Sequence, residues 1–65
     1  MHMSYHAHEQ IAKRGITETE VEDAIHYGAR WPHPVNETYS FARKGDLMVV
    51  LDGKSWVITS YRVNN

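Results

Sequence analysis

Apolar positions recur with two different periods along this chain, helical through residue 28 and alternating from residue 37 onward. Ser4 can cap a first helix that runs to about Arg14. Gly15 follows as the left-handed residue after its end, and Ile16 folds back on the turn. Thr17-Glu18-Thr19-Glu20 is a capping box, which predicts a second helix to about Tyr27 with Gly28 as its stop. Val21, Ala24 and Ile25 share one face of that helix, and Ile11 and Ile16 are expected to meet it. Glu18, Glu20, Glu22 and Asp23 crowd its N-terminal half, where the helix dipole favours negative charge.

Residues 29–36, ARWPHPVN, read as a connector, because two prolines exclude a helix. Residues 37–43 then alternate, with Tyr39, Phe41 and Arg43 on one side. Lys44-Gly45-Asp46 is a turn. Residues 47–51 form a continuous apolar run, expected to be a central strand covered on both faces. Asp52-Gly53 is a strong hairpin signal and leads into a last strand, residues 55–62. The expected fold is α+β: two N-terminal helices packed on one face of a three-stranded antiparallel meander sheet. Trp56 and Phe41 are expected in the core, Trp31 over its edge or against a nucleobase, and His33 in a solvated loop.

Composition sharpens this picture. Sixty-five residues make one domain, which buries only about 60% of its unfolded surface. The chain has no cysteine, so neither disulfides nor thiolate metal sites reinforce it. A homodimer or a cognate protein partner is therefore expected. Residues 1–3 are expected to be disordered or an added tail, with Met3 as an alternative start. The longest apolar run is far too short to span a bilayer, and no leader segment is visible, so a cytoplasmic protein without membrane contact is expected. The net charge of −1 argues against gripping nucleic acid by bulk charge. It divides unevenly: residues 1–40 carry three cations against six acids, and residues 41–65 carry four cations against two acids.

The polar residues suggest a chemistry. The first helix offers His6, His8, Lys13 and Arg14, the last strand Thr59, Tyr61 and Arg62, and the first strand Tyr39 and Arg43. A helix beside a three-stranded sheet can bring these sets together. They hold a base that titrates near neutrality, cations, hydroxyl donors and a phenol, but no paired carboxylates, cysteine nucleophile or phosphate-cradling glycine loop. That inventory suits phosphodiester chemistry without a metal or cofactor, with arginine meeting charge on a phosphate.

His6-Ala7 and Arg14-Gly15-Ile16, followed by Val21, Gly28 and the closing VITSYR at residues 57–62, resemble the family catalogued as domain of unknown function 4258. The resemblance covers nearly the whole chain. That family is similar in architecture to the RelE/ParE and BrnT toxins and to the barnase–EndoU–colicin–RelE group of ribonucleases. The resemblance implies a toxin-like domain over residues 1–65 that cleaves RNA without a metal, with a cognate antitoxin as its partner. It implies catalytic roles for His6, Arg14, Thr59 and Tyr61. Arg43 and Arg62 stand beside them as substrate-binding residues. Many members carry an arginine where this chain has Gln10. That departure and the near-neutral charge favour the alternative, a non-catalytic protein-binding or self-associating module of the same fold. Each candidate also has a plainer role. His6 can satisfy a helix start, Arg14 a helix C-terminus, and Thr59 and Tyr61 suit any strand. His6 and His8 are two apart on a helix and do not share a face, so they make no metal pair.

Overall fold

The computed structural model describes residues 1–53 and 55–63; Lys54 lies outside them. Helix α1 spans Tyr5–Lys13, and the Ser4 hydroxyl accepts the Ala7 N–H at 3.1 Å. The chain then turns at Gly15, whose φ of 72° is the left-handed backbone that its place after the helix predicts. Helix α2 spans Glu18–Tyr27 and carries the full capping box. The Thr17 hydroxyl accepts the Glu20 N–H at 3.2 Å, and the Glu20 carboxylate accepts the Thr17 N–H at 3.1 Å.

Both helices lie on one face of a sheet that differs from the expected meander. It has five strands and is mixed: β1 (His2–Met3), β2 (Ala29–Pro32), β3 (Tyr39–Lys44), β4 (Leu47–Asp52) and β5 (Trp56–Arg62), in the spatial order β1-β5-β4-β3-β2. Strands β2 to β5 pair antiparallel, whereas β1 runs parallel to β5. The two additional strands escape a sequence reading for physical reasons. Strand β2 falls within the stretch expected to be a connector. Its proline, Pro32, is the last residue of an edge strand, where the missing N–H breaks no inner ladder. Strand β1 has only two residues, too few for any periodicity. It is held by the His2 N–H on the Ser55 carbonyl at 3.0 Å and pairs His2 with Trp56 and Met3 with Val57.

The core lies between helices and sheet: Ile11, Ile16, Val21 and Ala24 meet Ala42, Leu47, Val49, Leu51 and Val57. Strand β4 is central, as its apolar run predicts, but the helices cover only one of its faces. Leu47, Val49 and Leu51 are buried, while Met48, Val50 and Asp52 are half-buried on the other side. In β5 a bulge resets the alternation. Leu51 pairs with Val57 but Val50 pairs with Thr59, which leaves Ile58 as the extra residue. Val57 and Ser60 therefore both point at the helices although three positions separate them. Thr59 and Tyr61 fall on the opposite face. Trp56 and Phe41 are not core residues: Trp56 is 47% exposed, and Phe41 is half-buried on the uncovered face.

Gly28 stops α2, but not through a left-handed backbone: its φ is −81°. It is needed for space, because a Cβ there would overlap the carbonyl oxygens of Arg43 and Ala24 where α2 meets β3.

Candidate functional site

Strand β1 covers β5 only as far as Val57. Beyond that point no strand among the described residues lines the outer edge of β5, and the end of α1 comes down beside it. Arg14 is the C-cap of α1, but its side chain does not turn back to the helix carbonyls. Its Nη1 donates to the Thr59 hydroxyl and to the Ser60 carbonyl, each at 3.0 Å. Ser60 is held in turn. Its hydroxyl is fully buried and donates to the Met48 carbonyl at 2.8 Å, across the β4–β5 ladder. A cation from the helix and a hydroxyl from the last strand thus share one exposed edge. The Nε and Nη2 groups of Arg14 make no hydrogen bond among the described residues, which leaves donors for an anion.

The other expected site residues lie elsewhere. His6 is exposed on the first turn of α1. It precedes Arg14 by eight residues, about 12 Å along the axis. With Gln10 it shares the flank of α1 that Arg14 occupies, at four-residue spacing. His8 projects from the other flank and contacts the Glu18 carboxylate of α2 at 2.7 Å. Tyr61 is 38% exposed on the uncovered face, opposite Met48. Arg62 is on the helix side, where its guanidinium bridges Glu20 at 2.7 Å and Asp46 at 3.2 Å. The hydrogen bond from Arg62, with that of the Thr17 N–H, lowers the Glu20 pKa from the usual carboxylate value, and Glu20 raises that of Arg62. Arg43 lies on β3, two strands from β5, with its Nε on the Gly45 carbonyl at 2.9 Å. The structure therefore joins Arg14 to Thr59, keeps His6 on the same flank two helical turns away, and places Arg43 and Arg62 apart from that edge.

The uncovered face of the sheet is the feature that sequence reasoning missed. Its middle row is Trp31, Phe41, Val50 and Thr59, neighbours across four strands. Trp31 packs on Phe41 with ring centroids 5.6 Å apart. His33 lies in the loop after β2, as expected, but is half-buried rather than fully solvated. It stacks on Phe41 at 5.4 Å, and its Nδ1 accepts the N–H groups of Val35 and Asn36 at 3.1 and 2.9 Å. The alternation of Tyr39, Phe41 and Arg43 was the available signal, and it needed β2 as a paired strand to become a surface.

Among the described residues no helix is long and apolar enough to cross a membrane, and no group of three or more His, Asp or Glu side chains converges as a cation site. Residues 3–62 match the family model described as Domain of unknown function (DUF4258). No curated protein and no solved structure matches the chain.

Proposed function

The chain belongs to the DUF4258 family, and on that footing we propose that it is a toxin-like ribonuclease domain that cleaves RNA without a metal. The observation that supports this reading is the Arg14–Thr59 contact, which sets a guanidinium and a hydroxyl on one open strand edge although the two residues are far apart in sequence. Arg14 holds a non-bridging phosphate oxygen through its free donors and meets the charge that builds in the transition state. Thr59 fixes the guanidinium, and Tyr61, two residues along the strand, orients the neighbouring nucleotide. His6 faces a strand of RNA laid along the flank of α1 and takes the proton of a 2′-hydroxyl. The 2′-oxygen then bonds to the adjacent phosphorus, and the bond from phosphorus to the 5′-oxygen breaks. The 5′-oxygen leaves with a proton taken from water, His6 gives its own proton back to solvent, and the product ends in a 2′,3′-cyclic phosphate.

The experiment is cleavage of a labelled single-stranded RNA in the presence of a chelator. Wild type is expected to generate cyclic-phosphate ends, Arg14→Ala to lose at least about tenfold in rate, and His6→Ala to lose activity with RNA binding retained. Turnover unchanged in His6→Ala removes His6 from the mechanism. Absence of turnover in the wild type over a range of RNA sequences overturns the reading.

A further inference from the structure

We infer that the uncovered face of the sheet is the interface of a two-fold symmetric homodimer in which Arg43 of each copy meets Asp52 of the other. The face is apolar where a partner has to be dry. Trp31, Phe41 and Val50 form its middle row, Met48 extends it, and Trp31 remains 38% exposed in the single copy. No helix packs on it, since all of the helical core lies on the other side. An aromatic and aliphatic surface of this kind left in water is a mark of an interaction site.

Size and charge choose the occupant. The molecule measures 28 × 27 × 19 Å. A face of a molecule this size covers several hundred square ångströms, of the same order as the roughly 800 Å² that each partner contributes to a standard interface. Arg43 and Asp52 stand at opposite ends of this face. Arg43 pairs with Met48 near the β3–β4 turn, and Asp52 pairs with Tyr39 and Trp56 near the β4–β5 turn. Neither forms an ion pair among the described residues. A two-fold axis along the middle row lays each strand over its own copy with the direction reversed. Arg43 then approaches Asp52 of the second copy one strand over, and the pair forms twice. A two-fold axis along β4 sets Asp52 against Asp52, which like-charge repulsion disfavours. Sheets stacked in the first way pack as an aligned sandwich with the helices outermost. Both Arg14–Thr59 edges then fall on the same side of the dimer, with Tyr61, on the outermost strand beyond Val57, at the rim of the interface where a nucleotide can still reach it. A nucleic acid is the weaker candidate for this face, because Arg43 is the one arginine or lysine that the strands present on it among the described residues, Asp52 offsets it, and Arg14 reaches only the Thr59 rim.

The test is sedimentation of the purified chain from micromolar to millimolar concentration, with Arg43→Asp and Asp52→Arg variants. Wild type is expected to dimerise. Each variant alone sets like charges together twice and should raise the dimer Kd by about tenfold or more. An equimolar mixture of the two variants restores both opposite-charge contacts, so its heterodimer should form with an affinity close to that of wild type. Circular dichroism identical to wild type confirms that each variant is folded, and recovery in the mixture itself excludes misfolding. A monomeric wild type at every concentration overturns the inference, as does a mixture that stays monomeric or a pair of variants that dimerise undiminished. A monomer whose tryptophan fluorescence shifts with a single-stranded oligonucleotide also overturns it and gives the face to nucleic acid. RNA cleavage is not read here, so failure of the nuclease reading leaves this result standing.

Discussion

The Arg14 guanidinium and the Thr59 hydroxyl lie 3.0 Å apart, although 45 positions of chain separate the two residues. The contact ties the end of α1 to the free stretch of β5, where β1 no longer covers the edge. Arg14 also binds the Ser60 carbonyl, so its removal unpairs two acceptors at once. A double-mutant cycle with Arg14→Ala and Thr59→Val should show a coupling of about 0.5–1 kcal/mol in urea unfolding, the range for a charged hydrogen bond at an exposed edge. A coupling indistinguishable from zero would mean that the guanidinium is not held there in solution.

Two glycines should respond differently to the same substitution. Gly15→Ala places a Cβ in open space but on a left-handed backbone, at a cost of about 1 kcal/mol. Gly28→Ala keeps an ordinary backbone but drives a Cβ into two carbonyl oxygens, so α2 has to move off β3, at a cost of about 2–3 kcal/mol. In thermal unfolding the second variant should therefore melt several degrees below the first. Equal melting temperatures would show that the approach of α2 to β3 relaxes freely.

Acid should weaken the fold partly through Glu20. Its pKa in the folded chain is lowered, with the hydrogen bond from Arg62 as the largest cause. A carboxylate with a depressed folded pKa contributes stability above its unfolded value of 4.5, and that contribution is lost as pH falls through the lower folded value. The raised pKa of Arg62 changes nothing in this window, since arginine stays charged throughout it. Chemical denaturation from pH 7 down to pH 3 should show a shallower loss of stability for Glu20→Gln than for wild type. Parallel curves would remove the Glu20–Arg62 pair from the acid response.

What could be read in the residues, and what could not, divides by the range of the interaction. Ser4, Gly15 and the Thr17–Glu20 box act within one helical turn, and the structure has α1 and α2 where those signals lie. The hairpin from β3 to β4 and the central place of β4 were legible for the same reason: turn residues and apolar runs are local. Strand β1 was not legible, because its two residues become a strand only through a parallel partner more than fifty positions away. The bulge at Ile58 is likewise set by pairing with β4, and it decides which side chains of β5 share a face. The Arg14–Thr59 contact depends on both of these, so sequence could nominate the two residues but could not join them. A large aromatic is usually covered, so hydrophobicity alone puts Trp56 and Phe41 in the core. In a sheet with helices on one side only, the covered side is a property of register, which hydrophobicity alone does not specify.

The position of β5 between β1 and β4 also constrains how this molecule is made. A ribosome delivers residues 2 and 3 more than fifty positions before residues 56 and 57, which their ladder requires. The two helices and the β3–β4 hairpin can form while synthesis continues, because their contacts are short in sequence. The sheet cannot close until β5 is available, so its closure is a late folding step that joins segments more than fifty positions apart.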